Sequence, residues 1–140
     1  MTMSSADVGT IQYRELAAAV RRDLVMPGDP GYDGARAVYN GMIGKHPVAI
    51  VRCRDTADVI SCVRFARRHV AEIAVRGGGH SAAGLGVADG ALVIDLSLLR
   101  STTVDPTGRT VRADAGCSRG LLRSQSSAQY ASANASNRAC

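Results

Sequence analysis

The residues of this 140-residue chain best suited to chemistry stand together at Gly77-Gly78-Gly79-His80-Ser81, directly behind Val75-Arg76. Three successive glycines put no side chain between the backbone and a ligand. They also accept positive φ angles, which let neighbouring N–H groups converge on an anion. The pattern is that of a phosphate cradle ending in a nucleophile, because a neutral imidazole attacks electrophilic carbon near physiological pH. Arg76 reads equally as a phosphate partner or as a solvated or ion-paired residue. Ser81 reads as a donor to phosphate or as a cap of the loop, and Asp95 as a residue that orders its own turn.

A cradle of this kind needs strands to present it. Residues 47–51, 72–76 and 91–95 are compact apolar runs of strand length, and Asp55-Thr56-Ala57-Asp58 opens a helix between the first two. On that helix Val59, Cys62, Val63, Ala66 and Val70 form the expected apolar face. Residues 47–76 therefore read as strand, helix, strand, a βαβ crossover with parallel strands. The glycine loop leaves the carboxyl end of a strand, where open α/β sheets place ligands. Upstream, Thr10 caps an expected helix running to about Asp23, with Leu16, Val20 and Leu24 on its buried side, and a short helical turn is expected over 35–39. Downstream, residues 101–105 and 109–113 flank Asp105-Pro106-Thr107-Gly108, a good turn sequence, and read as an antiparallel hairpin.

Two familiar phosphate loops fit poorly. Gly77 to Ala82 formally satisfies G-x-G-x-x-A, but the dinucleotide fold needs a helix to begin inside the loop. Gly84, Gly86 and Gly90 follow instead, with no helical period. No Walker A string occurs.

Composition narrows the class further. The net charge of +5 comes almost wholly from arginine, and over residues 1–70 ten basic residues are interleaved with seven acidic ones, so no stripe marks a nucleic-acid surface. No apolar run reaches membrane-spanning length, and the first ten residues lack the basic start and apolar stretch of a signal peptide. A cytoplasmic location, with neither nucleic acid nor membrane as partner, is the expectation. Cys53, Cys62, Cys117 and Cys140 form no CxxC pair, and His46, His69 and His80 are dispersed, so reduced thiols and no metal are expected.

A wider set of residues carries a family resemblance. Pro27-Gly28-Asp29-Pro30-Gly31-Tyr32-Asp33, Ala35-Arg36, Asn40, Pro47-Val48-Ala49-Ile50-Val51, Asp58-Val59, the 75–81 run, Gly84, Leu92-Val93-Ile94-Asp95-Leu96-Ser97 and Ala113-Asp114-Ala115-Gly116 occur in order. In type and spacing they resemble the FAD-linked oxidases related to berberine bridge enzyme and 6-hydroxynicotine oxidase. The resemblance implies an α+β, PCMH-type (vanillyl-alcohol-oxidase-like) FAD-binding domain, truncated, with a small parallel βαβ subdomain followed by the start of an antiparallel one. It implies FAD as cofactor, its pyrophosphate on the loop formed by Arg76, Gly77, Gly78, Gly79, His80 and Ser81, with Gly84 as a further contact. The histidine at the position of His80 is then joined covalently to the 8α-methyl of the flavin. Full-length relatives transfer hydride from a small alcohol, amine or sugar substrate to the flavin; no catalytic residue in this chain corresponds to that step. Cys117 stands where the family has a small residue, so no flavin-attaching role is carried over to it.

The expected organisation is an N-terminal helix over 1–24, a partial FAD-binding domain over 25–116, and a tail over 117–140. Residues 118–140 hold six serines and five alanines with few apolar anchors, a composition that reads as disordered or frameshifted beyond a first helical turn. The functional expectation is the FAD-binding portion of a flavin-dependent oxidoreductase, inactive by itself. The alternative is a non-catalytic remnant that binds flavin weakly or not at all.

Overall fold

Two short apolar runs form the middle of the molecule. Strand β2 (Ala49–Arg52) and strand β4 (Leu92–Asp95) pair in parallel, and from Ala49 to Val51 and Leu92 to Asp95 every residue is buried. Strands covered on both faces have no polar alternation to show, which is why they read as continuous apolar stretches. In the computed structural model, which describes residues 13–20, 23–69, 71–118, 120, 122–124 and 126–128, two further strands complete this sheet. The short β1 (Leu24–Val25) runs antiparallel to β2, and β3 (Ile73–Arg76) runs parallel to β4, giving the order β1-β2-β4-β3. A separate two-stranded hairpin joins β5 (Thr102–Asp105) to β6 (Thr110–Ala113).

Each face of the sheet has its own cover. On one face Ala49, Val51, Leu92 and Ile94 pack against Cys62, Phe65 and Ala66 of helix α2 (Thr56–His69) and against Leu16 and Val20. On the other, Ile50, Ala74 and Val93 pack against Tyr32 and Ala35 of the short helix α1 (Tyr32–Arg36) and against Val87. The Tyr32 hydroxyl donates to the carbonyl of Pro47 at 2.7 Å, so its one polar atom is satisfied within the core. Burying each of the larger aliphatic side chains contributes about 1.5–3 kcal/mol, which makes β2 and β4 the main source of stability.

Several expectations are adjusted by the fold. The crossover β2-α2-β3 is present, but β2 and β3 do not touch; β4 enters between them. The helical segment near the N-terminus ends at residue 19, and Leu24 belongs to β1, where it pairs with Val51 at the otherwise open edge of β2. Thr10 and Val70 lie outside the described residues, as does most of 119–140; those described between 120 and 128 are helical. The short helix forms over Tyr32–Arg36, earlier than expected, starting after Gly31 at φ 87°. The buried face of α2 is also turned. The Asp58 N–H donates to Asp55 Oδ1 (3.1 Å), while Asp58 Oδ2 accepts from the Arg54 N–H (2.9 Å). These two bonds hold Asp58 inward at the start of α2; Phe65 lies on the same buried face, and Val63 is left 38% exposed.

Residues 77–91 join the parallel strands β3 and β4 through turns, with no helix. A parallel connection must travel back along the whole sheet. Here the glycine-rich segment does so across the α1 face, anchored by Val87 and the partly buried Ala88. The absence of a helix after the glycines agrees with the unfavourable reading of the dinucleotide pattern. The hairpin turn is held as its sequence implied, with Asp105 Oδ1 accepting from the N–H groups of Thr107 (3.0 Å) and Gly108 (2.9 Å). No described helix is long and apolar enough to cross a membrane.

The thiols give a direct check on this packing. Cys53 and Cys62 are fully buried, and a hydrogen bond with Cys62 together with burial raises the Cys53 thiol above its usual range; Cys117 is only half-buried. Because alkylation needs an accessible thiolate, iodoacetamide should label Cys117 in the native chain and spare Cys53 and Cys62, both shut off by burial, until urea is added. Peptide mass spectrometry after timed alkylation reads the outcome.

Candidate functional site

The site begins with the register of two strands. Arg76 and Asp95 are the last residues of β3 and β4 and lie directly opposite each other, so their side chains share one face of the sheet. They form an ion pair at 2.6 Å, with side chains only 7% and 5% exposed. The guanidinium also donates to the carbonyls of Ala35 (2.6 Å) and Ala37 (3.2 Å), at and just beyond the end of α1. Asp95 in turn accepts from the Ser97 N–H (2.9 Å) through Oδ1. Arg76 is therefore occupied by protein acceptors beneath the loop. Asp95 does order its turn, as its sequence position implied, and neutralises Arg76 as well.

Above this pair the glycines are required for distinct reasons. A Cβ on Gly77 would sit 2.7 Å from the carbonyl oxygen of Ala115, so the turn after β6 packs against bare backbone. A Cβ on Gly78 would sit 2.6 Å from Cδ2 and 2.9 Å from Nε2 of His80. The exposed imidazole thus folds back over Gly78 and meets the ring of Tyr39, with centroids 5.7 Å apart. Gly79 takes φ +70°, a left-handed conformation that reverses the chain.

These groups line one open cleft of about 700 Å³. Arg76, Gly77, Gly78, Gly79 and His80 all border it. Ser81 instead borders a smaller hollow of about 320 Å³ around the same loop, where its Oγ accepts from the Leu85 N–H (3.3 Å). Gly84 is buried, at φ +70°, and its missing Cβ leaves room for Ile43 Cγ2, which would otherwise lie 2.8 Å away. In this structure Ser81 ties the loop and Gly84 packs it.

The cleft also holds residues to which the sequence reading gave no place in the site. Val38 and Tyr39 form one wall, and Ser97, Arg100, Gly116 and Cys117 another. The exposed Arg100, with Nε donating to the Ser97 carbonyl (2.8 Å), brings a cation to the lining of the same cleft. Gly116 reaches the cleft because its N–H donates to the carbonyl of Leu99 (2.9 Å) and because any Cβ there would collide with the carbonyls of Leu96 and Leu99. The available signal was the position of Ser97 and Arg100 just past β4: neighbouring parallel strands end on the same edge.

The chain matches the family described as FAD binding domain over residues 47–139. It belongs to that family. The matched region continues past Gly116 into the serine- and alanine-rich segment. The chain is 34% identical over 104 residues to (R)-6-hydroxynicotine oxidase of Paenarthrobacter nicotinovorans, covering 74% of this chain and 23% of that protein. Its fold is similar to that of Phl p 4, a grass pollen allergen with glucose dehydrogenase activity (TM-score 0.73, 27% identity, 79% of this chain and 25% of that one). It is also similar to Physcomitrella patens BBE-like 1 (TM-score 0.64, 31% identity, 71% of this chain and 22% of that one). The chain spans about a quarter of the length of these relatives. It is an FAD-binding domain of the flavin-dependent oxidoreductase family, and the α+β, PCMH-type architecture expected from the resemblance is the one its fold displays. The residues present suit the cofactor: bare glycine backbone and Arg100 offer donors to a diphosphate along one cleft.

The ion pair beneath this cleft should be expensive to break. Asp95→Ala, which leaves Arg76 buried and uncompensated, should cost about 3–5 kcal/mol of stability, whereas Asp33→Ala, at an exposed pair, should cost under about 1 kcal/mol. Urea denaturation followed by circular dichroism compares the two.

Proposed function

We propose that this chain forms the FAD-holding part of a flavin-dependent oxidoreductase, with the FAD diphosphate on the backbone of Gly77 to Gly79 and the flavin covalently attached at His80. That attachment would form a bond from an imidazole nitrogen to the 8α-carbon in place of one methyl C–H bond, with the proton lost to solvent and the two electrons taken up by the flavin ring and then by dissolved oxygen. The observation that carries this reading is the convergence of glycine backbone, Arg100 and an exposed imidazole on one cleft. FAD, when bound, supplies a two-electron acceptor for a small alcohol, amine or sugar substrate of the whole protein. The chain's own contribution is to hold and orient. Backbone N–H groups of the loop meet the diphosphate, Arg100 offsets its charge, and Gly78 leaves the imidazole room to lie at the cleft. Arg76 and Ser81 act on the cofactor through the loop they brace, and Gly84 through the packing that lets the loop turn.

Covalent attachment has a simple readout. The chain incubated with FAD and precipitated with acid should retain flavin absorbance, and His80→Ala should abolish it while leaving the far-ultraviolet circular dichroism unchanged. Flavin that binds but is released by acid would favour the alternative of a weakly binding, non-catalytic remnant.

Occupancy can be read without reference to the covalent bond. Cys117 lines the same cleft, so saturating FAD should slow its alkylation by about tenfold or more, by mass action on the free form. An unchanged alkylation rate would place the ligand elsewhere.

A further inference from the structure

Tyr39 is an aromatic residue in an unusual position. Its side chain is 80% exposed, while Tyr32 and Phe65 are buried. Its backbone, by contrast, is fixed. The Tyr39 N–H donates to the carbonyl of Gly79 (3.1 Å), and the adjacent Asn40 Nδ2 donates to the carbonyl of Ala82 (3.0 Å). Two residues upstream, the Ala37 carbonyl accepts from Arg76. The segment is thus clipped to both ends of the glycine loop, and the phenol ring stands at the cleft against His80, tilted by 57°. The core makes no use of this ring, so its position calls for another explanation.

We propose that Tyr39 is a positioning residue for His80: with Gly78 it forms a seat that fixes where the imidazole points. Gly78 is the floor, since a methyl group there would come within 2.6 Å of the imidazole Cδ2 and the ring would have to leave this orientation. Tyr39 is the side wall, in a tilted aromatic contact of the kind that stabilises ring pairs modestly and sets their geometry. An exposed histidine on a glycine-rich loop otherwise samples several rotamers. Holding one orientation raises the fraction of collisions that are productive without adding a contact to the ligand. The inference rests on the assignment of His80 as the flavin attachment point.

The test uses the full chain as wild type, Tyr39→Phe and Tyr39→Ala. Acid-stable flavin is followed over time across a range of FAD concentrations, which separates the half-saturating concentration from the limiting rate. The His80 ring-proton shifts are recorded by NMR without ligand. Tyr39→Ala should lower the limiting rate about tenfold and leave half-saturation within about twofold. Tyr39→Phe should restore the wild-type rate, since the ring and not the hydroxyl forms the wall. The His80 resonances should move in Tyr39→Ala and stay in Tyr39→Phe. Equal limiting rates in wild type and Tyr39→Ala would overturn the inference alone, as would a Tyr39→Phe variant as slow as Tyr39→Ala. A change confined to half-saturation would also overturn it, in favour of a ligand contact. A wild-type chain that acquires no acid-stable flavin overturns the His80 assignment, and this inference with it.

Discussion

Arg76 and Asp95 bring opposite charges to a place from which water is almost excluded, and either would be intolerable there without the other. Their pairing does more than cancel a cost. Arg76 holds the Ala35 and Ala37 carbonyls, Asp95 holds the Ser97 N–H, and the Leu96 N–H donates to the Arg76 carbonyl at 2.7 Å. One pair thus connects the end of α1, the end of β3 and the turn after β4. Residues that follow each of these three segments line the cleft, together with those that follow β6.

The glycine-rich stretch has two tasks, and they explain its composition better than ligand binding alone. It must connect parallel strands across the α1 face, and it must present bare backbone at the strand ends. Val87 and Gly84 serve the first task, by burial among core residues and close packing on Ile43. Gly77, Gly78 and Gly79 serve the second. The division makes the loop a structural element in its own right, with its cleft-facing part braced from below by the ion pair and from the side by Tyr39 and Asn40.

Long-range placement accounts for the residues that local patterns missed. Phe65 shares the buried face of α2 with Asp58, Cys62 and Ala66, and an acidic residue on that face is a detail that apolar spacing does not contain. Gly116 and Cys117 are far from the glycine loop in sequence, yet the hairpin returns them to it, with the Ser101 N–H donating to Asp114 Oδ2 (3.0 Å) and the Cys117 Sγ to the Ser101 carbonyl (3.5 Å). Tyr39 was visible as a residue type, but nothing in its neighbours marks it as an exposed aromatic at a cleft.

What the sequence by itself determined was local: the two apolar runs that must be buried strands, the acidic start of α2, the Asp105 turn, and a glycine triplet ending in His80. These follow from short-range sterics and hydrogen bonding, which read the same in any tertiary context. The family was legible for the same reason, since its marks are strings of neighbouring residues in a fixed order. Only the tertiary structure decided that β4 lies between β2 and β3, that Arg76 faces Asp95 instead of solvent, and that Tyr39, Arg100 and Cys117 share a cleft with His80. Strand order and side-chain partners depend on contacts between residues far apart in the chain, and single-residue preferences carry almost no information about those contacts.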